Sequence, residues 1–391
     1  MEWWSLYIKL SAMMFLQYAV WGAWAPVLAA RLMGPMKMSG KQTGWIYGTL
    51  FLASIVTPLL AGQLVDQWLA TQWFLVGAHL VGAVLTFLAS RQTRFVPMLI
   101  VMGAYSLVFA PTIPLTTSLM FAHLGKLGIP PFRIFIWIPI GWALAGLGLT
   151  AWRRRAKQES DGRDCLILAS VLSFAMVVCC LFLPDTPPKI VSFIDALSLL
   201  KNPQFLIFLI VSLLVTMQLQ FYYLGTAPFL EAVGVQQKNV PAAMSIAQIA
   251  QMGAMAVLAA IPTLLPGLGF RWALTLGIVL WMGMYSCYVA SRPCWLVVGS
   301  MALHGLAYAL FINVGWVYVD KVAPGSASAQ GLLSVVTFGL GMFLGTQVTG
   351  IVMDRLKDAD TFRWRAIFLV PCVALLICAV VFVALFRVDA G

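Results

Sequence analysis

The chain has 391 residues, 62% of them hydrophobic and only 9% charged, with mean hydropathy +0.94 and a net charge of +11. A soluble domain carries roughly 25% charged residues, so this composition excludes one and implies a surface that mostly meets lipid. The Lys and Arg sit in short loops beside apolar runs, where they act as membrane anchors, so no nucleic-acid partner is expected.

A helix needs about 20 apolar residues to cross a bilayer. Twelve candidate spans follow in chain order: 7–31, 42–65, 72–90, 96–122, 133–152, 165–183, 204–230, 240–265, 271–290, 294–319, 328–353 and 364–387. Their continuous hydropathy predicts helices, since barrel strands would alternate. The expected fold class is an all-α polytopic membrane protein, multi-pass in the cell (inner) membrane.

Span one carries Gln17, Trp21 and Trp24, and span three carries His79. Span four holds Thr116 and Thr117 between Pro111, Pro114 and the span end, and Pro139 interrupts span five. Proline removes a backbone donor and kinks a helix. The polar stretch 184–203, PDTPPKIVSFIDALSLLKNP, follows span six. It divides the chain into a six-helix bundle at 1–183, a linker at 184–203 and a second bundle at 204–391. Six plus six helices around a linker is the architecture of many secondary transporters, with the solute near the midplane.

The second half is rich in polar groups. Span seven offers Gln218, Gln220, Tyr222 and Tyr223; span eight offers Ser245, Gln248 and Gln251; span ten offers His304, Tyr308 and Asn313. Hydrocarbon makes such groups costly, so they are candidates for function. Flat rings that stack and amides that donate and accept suit a base attached to a hydroxyl-rich sugar. The candidate solute residues read from the spans are Gln17, Trp21, Trp24, Thr117, Gln220, Tyr223, Gln248, Gln251, Tyr308 and Asn313. The seven cysteines lie in or beside apolar runs with no CxxC spacing and read as small core residues. No metal, cofactor or enzymatic nucleophile motif is indicated.

Several stretches share one pattern: LQYAVWGAW (16–24), GQLVDQWLATQW (62–73), YSLVFAPTIPLTTS (105–118), LPDTPPK (183–189) and VYVDKVAP followed by SAQGL (317–332). Together they resemble the nucleoside:proton symporter family of the major facilitator superfamily. The resemblance implies two six-helix pseudo-symmetric bundles, alternating access, termini in the cytoplasm and a nucleoside-like solute in a monomer. It sets aside the loop charges, which place more Lys and Arg outside than inside, mainly through 153–157 and the pair Arg363/Arg365.

The same resemblance makes Gly62 and Asp66 gating residues of the loop after span two, although DQWLATQW lacks the usual basic residues. The family's glutamines fall on Gln220 and Gln248, its helix-seven asparagine on Tyr223, and the aromatic residue before its helix-ten acid on Tyr308. Its helix-five arginine falls on Arg133 when PPFRIFIWIPIG (130–141) is aligned from the left, and on Phe135 from the right; Arg133 is favoured. Its helix-eight glutamate becomes Gln251 and its helix-ten aspartate becomes Ala309. No carboxylate is expected near the midplane, so the proton, the candidate coupling ion, lacks its usual carrier. His304 reads as a packed residue, off the face of Ala309. Weak or lost proton coupling is the expectation. The alternatives are a carrier for a sugar-like or nucleobase solute, and a non-transporting receptor or scaffold.

Overall fold

The computed structural model describes residues 2–33, 35–38, 40–156, 161–187, 197–235, 240–358 and 361–387. Its helices begin with α1 Glu2–Trp24, α2 Leu28–Met33, α3 Gly40–Gln67, α4 Thr71–Arg91, α5 Phe95–Phe109, α6 Thr112–Leu124, α7 Phe132–Phe135, α8 Trp137–Ala156 and α9 Asp164–Leu181. They continue with α10 Pro203–Ala232, α11 Val240–Ala260, α12 Leu264–Ala290, α13 Cys294–Tyr308, α14 Val314–Val322, α15 Ala327–Ser334, α16 Met342–Arg355 and α17 Trp364–Leu385. Two-residue strands, β1 Lys357–Asp358 and β2 Thr361–Phe362, pair antiparallel before α17.

Eleven spans among the described residues are long and apolar enough to cross a membrane. Helix α1 is not among them; at 23 residues it is long enough, but Lys9, Gln17 and its Trp and Tyr residues dilute its hydropathy.

Local chemistry explains where the predicted spans break. Span one ends as a helix at Trp24, turns through Ala25–Val27 around Pro26, and resumes as α2. Span four breaks at Pro111, between α5 and α6. Span five breaks at Ile136, between α7 and α8. Pro139 has no N–H to give the carbonyl of Phe135, so the helix cannot run straight through. In α12, Gly269 takes φ 74°, a left-handed value open to glycine, and kinks the helix. Two π-helical segments, Ala309–Asn313 and Val335–Gly341, join α13 to α14 and α15 to α16.

Contacts divide the chain into two units. The first is Met1–Ala196 with Val322–Val335, and the second is Leu197–Lys321 with Val336–Gly391. Helix α15 thus packs with the first unit although it follows the fourteenth helix. Much of the predicted linker, residues 188–196, lies outside the described residues. Its start is pinned to the first unit, where Gln72 donates to the Asp185 carboxylate at 2.6 Å and accepts from the Thr186 N–H at 3.0 Å. Its end is a helix start: the Asn202 side chain accepts from the N–H groups of Gln204 and Phe205, with Pro203 at the first position of α10.

Within each unit, glycines let helix backbones touch. A Cβ on Gly141 of α8 would lie 2.2 Å from the Phe15 carbonyl oxygen of α1, and one on Gly345 of α16 would lie 2.3 Å from the Met217 carbonyl oxygen of α10. Gly305 of α13 sits equally close to α11, where a Cβ would meet the Ala247 carbonyl oxygen at 1.9 Å. Small residues at crossings are how membrane helices gain packing without a hydrophobic drive between them.

Candidate functional site

In the first unit Gln17 and Trp24 are tied to neighbouring helices. Gln17 is buried in α1; its Nε2 donates to the Thr112 hydroxyl at 2.7 Å, and its Oε1 accepts from His79 Nε2 at 3.0 Å. The Thr112 hydroxyl in turn donates to the Phe109 carbonyl at 2.6 Å. The amide oxygen can only accept, so the His79 proton on Nε2 points at Gln17. Trp24 is 2% exposed, and its indole N–H donates to the Tyr105 hydroxyl at 3.3 Å. Thr117 is buried with its hydroxyl on the Ile113 carbonyl at 3.2 Å. Trp21 is half-buried and stands edge-on to Trp142 with ring centroids 5.3 Å apart.

Arg133 does not join this group. Its side chain is exposed, and its carbonyl lies 3.5 Å from the hydroxyl of Tyr7, near the start of α1 and ten residues before Gln17. Phe135, the residue reached by the other alignment, is fully buried.

In the second unit the polar set is more loosely held. Gln251 of α11 is buried and donates to Asn313 Oδ1 at 3.4 Å, a long bond. Gln220 of α10 is buried and its amide nitrogen meets the Met342 sulfur at 2.9 Å. Sulfur is a weak acceptor. Gln248 and Tyr308 are half-buried, and Tyr223 is 46% exposed.

An aromatic group adjoins these amides. The His304 ring stacks on Tyr222 with centroids 3.8 Å apart, and Tyr308 lies 6.1 Å from it. The Trp281 indole N–H donates to His304 Nδ1 at 3.1 Å. An indole N–H only donates, so Nδ1 is the bare nitrogen and the proton sits on Nε2. His304 is therefore a packed, hydrogen-bonded residue, as its sequence position suggested.

Ala309 begins the π-helical segment that ends at Asn313. A π turn inserts an extra residue into the helical register, so a regular 100° step does not describe the path from His304 to Asn313. π segments recur at functional positions in helices. The sequence reading missed this, because nothing in ALFIN marks it.

Asp66 is the one buried carboxylate among the described residues. It accepts from the Ser328 N–H at 3.0 Å and from the Ser328 hydroxyl at 2.5 Å. Ser328 lies in the first turn of α15, whose N-cap Ser326 accepts from the Ala329 N–H at 3.2 Å. A carboxylate at a helix start is favoured by the unsatisfied N–H groups there. Gly62, one turn before Asp66, permits the approach: a Cβ there would be 3.1 Å from the Ser328 Cα. Both partners belong to the first unit.

The sequence matches the Nucleoside H+ symporter family across residues 4–390. The chain belongs to that family. It is 31% identical to YegT of Escherichia coli (strain K12), covering 97% of this chain and 93% of the relative. It is 27% identical to the nucleoside permease NupG of the same organism, covering 98% and 96%. It is 27% identical to the xanthosine permease of that organism, covering 97% and 95%. The solved structure of an aspartate-to-alanine variant of NupG superposes with a TM-score of 0.74, at 27% identity, over 98% of this chain and all of that one. The fold is that of the major facilitator transporters, and the chain is a multi-pass integral membrane protein.

Family membership leaves one local point sharper. The buried network His79–Gln17–Thr112 links three helices and ties up Gln17, which the sequence offered as a solute candidate.

Proposed function

We propose that this protein is a secondary transporter that moves nucleosides across the cell (inner) membrane by alternating access, with proton coupling weak or lost. The polar set of the second unit, Gln220, Tyr223, Gln248, Gln251, Tyr308 and Asn313, supplies amides for a base edge and ribose hydroxyls, and rings for stacking. In the first unit, Gln17, Trp21, Trp24, Thr117 and Arg133 stand as separate candidates for solute contact. Asp66 and Gly62 act at α15 as a latch. The protein has no enzymatic role in this reading.

The observation that carries the uncoupled reading is the burial record: among the described residues, Asp66 at a helix start is the only buried acid. Gln251 and Ala309 stand where the resemblance expects acids, and the bare nitrogen of His304 is already occupied by Trp281. A proton-coupled cycle needs a group that takes up and releases a proton inside the membrane.

Uptake of labelled uridine and adenosine into proteoliposomes, with and without an inward proton gradient, tests both parts. The expected result is saturable uptake that equilibrates the solute without concentrating it. Absence of uptake for every nucleoside would overturn the substrate, and gradient-driven accumulation would overturn the uncoupled cycle.

A further inference from the structure

One basic cavity lies apart from the solute residues, wholly within the second unit. It measures about 660 Å³ and is bounded by the end of α10, the turn between α12 and α13, and the start of α17. Arg292, Arg363 and Arg365 line it, all three with exposed side chains, and its lining holds no acid among the described residues. Neither Arg292 nor Arg365 forms an ion pair among the described residues. Three like charges gathered on one hollow repel one another, and a bound anion relieves that.

The backbone adds to the field. Helices α13 and α17 both begin at the rim, and neither start has a side-chain cap. Each leaves unsatisfied N–H groups and the positive end of a helix there. Guanidinium forks match a tetrahedral oxyanion, which they can grip with two parallel bonds.

The level of the cavity is the membrane boundary, because the spans Pro203–Ala232 and Leu264–Ala290 end there and Cys294–Val322 and Trp364–Leu385 start there. Trp295, 73% exposed, stands at the same level, as interfacial tryptophans do. Apolar walls lie beside the arginines: Phe229 and Trp364 line the cavity with ring centroids 5.6 Å apart.

We propose that this cavity binds a phosphate-bearing anion at the membrane surface, either the headgroup of an anionic phospholipid or free phosphate of the same chemistry. Basic pockets between spans on the cytoplasmic side are known to take anionic headgroups, and the same chemistry is proposed here for the opposite face. The site also gives a reason for Arg363 and Arg365, whose position opposes the loop charge rule.

The test uses the full chain in a neutral detergent, titrated separately with phosphatidylglycerol, phosphatidylcholine and inorganic phosphate. Bound molecules are counted by native mass spectrometry, and the melting temperature is read in parallel. Phosphatidylglycerol should be retained and raise the melting temperature, while phosphatidylcholine should do neither. Arg292→Gln combined with Arg365→Gln should weaken that binding at least tenfold, and Lys at both positions should restore part of it. These side chains are exposed, so the double variant should keep its size-exclusion profile; the Lys pair serves as the folded reference. Retention of inorganic phosphate as tight as of the lipid assigns the site to free anion, and weaker retention assigns it to lipid. Failure of both probes to bind, or lipid binding unchanged in the double variant, would overturn the proposal.

Discussion

Among the candidate solute residues, the two units hold their polar groups differently. In the first, both ends of the Gln17 amide are bonded, to Thr112 and His79, and the Trp24 N–H is bonded to Tyr105. In the second, Gln251 holds Asn313 at 3.4 Å, Gln220 has a sulfur for a partner, and Gln248 and Tyr223 are only partly covered. A satisfied buried network resists change, whereas weakly satisfied amides can be offered to a solute at little cost. Of these residues, the second unit's amides are the more weakly held.

The largest effect that would break this comparison lies where the two units are alike, in their glycine crossings. Gly141→Val in the first unit and Gly345→Val in the second should each prevent recovery of folded protein, because the added atoms meet a backbone carbonyl that cannot move aside. Alanine at either site should cost about 1–3 kcal/mol. Fluorescence-detected size exclusion and melting in detergent would show it. Tolerance of valine at either crossing would contradict the packing described.

The next contrast is between glutamines. Gln17→Leu leaves the His79 Nε2 proton without its acceptor and the Thr112 hydroxyl with only its Phe109 bond, and should lower stability by about 1–3 kcal/mol. Gln220→Ala and Gln248→Ala should leave melting nearly unchanged but weaken nucleoside affinity about tenfold, equal to about 1.4 kcal/mol. Equal stability losses in both units would erase the distinction drawn between them.

A third test adds the missing charge. Gln251→Glu together with Ala309→Asp should make uptake respond to an imposed gradient, up to about tenfold accumulation per proton for one pH unit. Uptake by the double variant that ignores the gradient would mean that coupling needs more than these two positions.

The smallest effect lies outside the spans. Arg163, through its side chain and then its N–H, and Arg31 hold the Asp161 carboxyl at about 2, below its ordinary 3.8, against the opposing effect of burial. A lowered carboxyl stabilises the fold fully above its ordinary value, and that contribution is lost as pH falls through the folded one. Asp161→Asn should thus show a constant deficit, below about 1 kcal/mol for so exposed a group, at neutral pH. The deficit should shrink as pH drops below about 4. A deficit that grows on acidification would reverse the assigned sign.

Much of the fold was legible in the sequence, because hydropathy alone fixes which segments can cross a membrane and proline fixes several of their breaks. Pro111 and Pro139 mark interruptions that the structure contains, whereas the break at Pro26 falls inside span one, expected as one run over 7–31. What was not legible depends on neighbours distant in sequence. Trp24 looked like a solute ligand and is a core ring on Tyr105. Arg133 looked like an inward charge and is exposed beside Tyr7. The π segment at Ala309–Asn313 leaves no mark in composition. The attachment of α15 to the first unit rests on Gly62, Asp66 and Ser328, whose meeting no local pattern announces.

The proposed cycle moves solute with weak or no proton coupling. The most direct measurement traps a pH-sensitive dye inside proteoliposomes that take up labelled nucleoside, then adds uridine or adenosine with no gradient imposed. The expected result is uptake with no change of internal pH. Acidification that tracks the nucleoside mole for mole would contradict it.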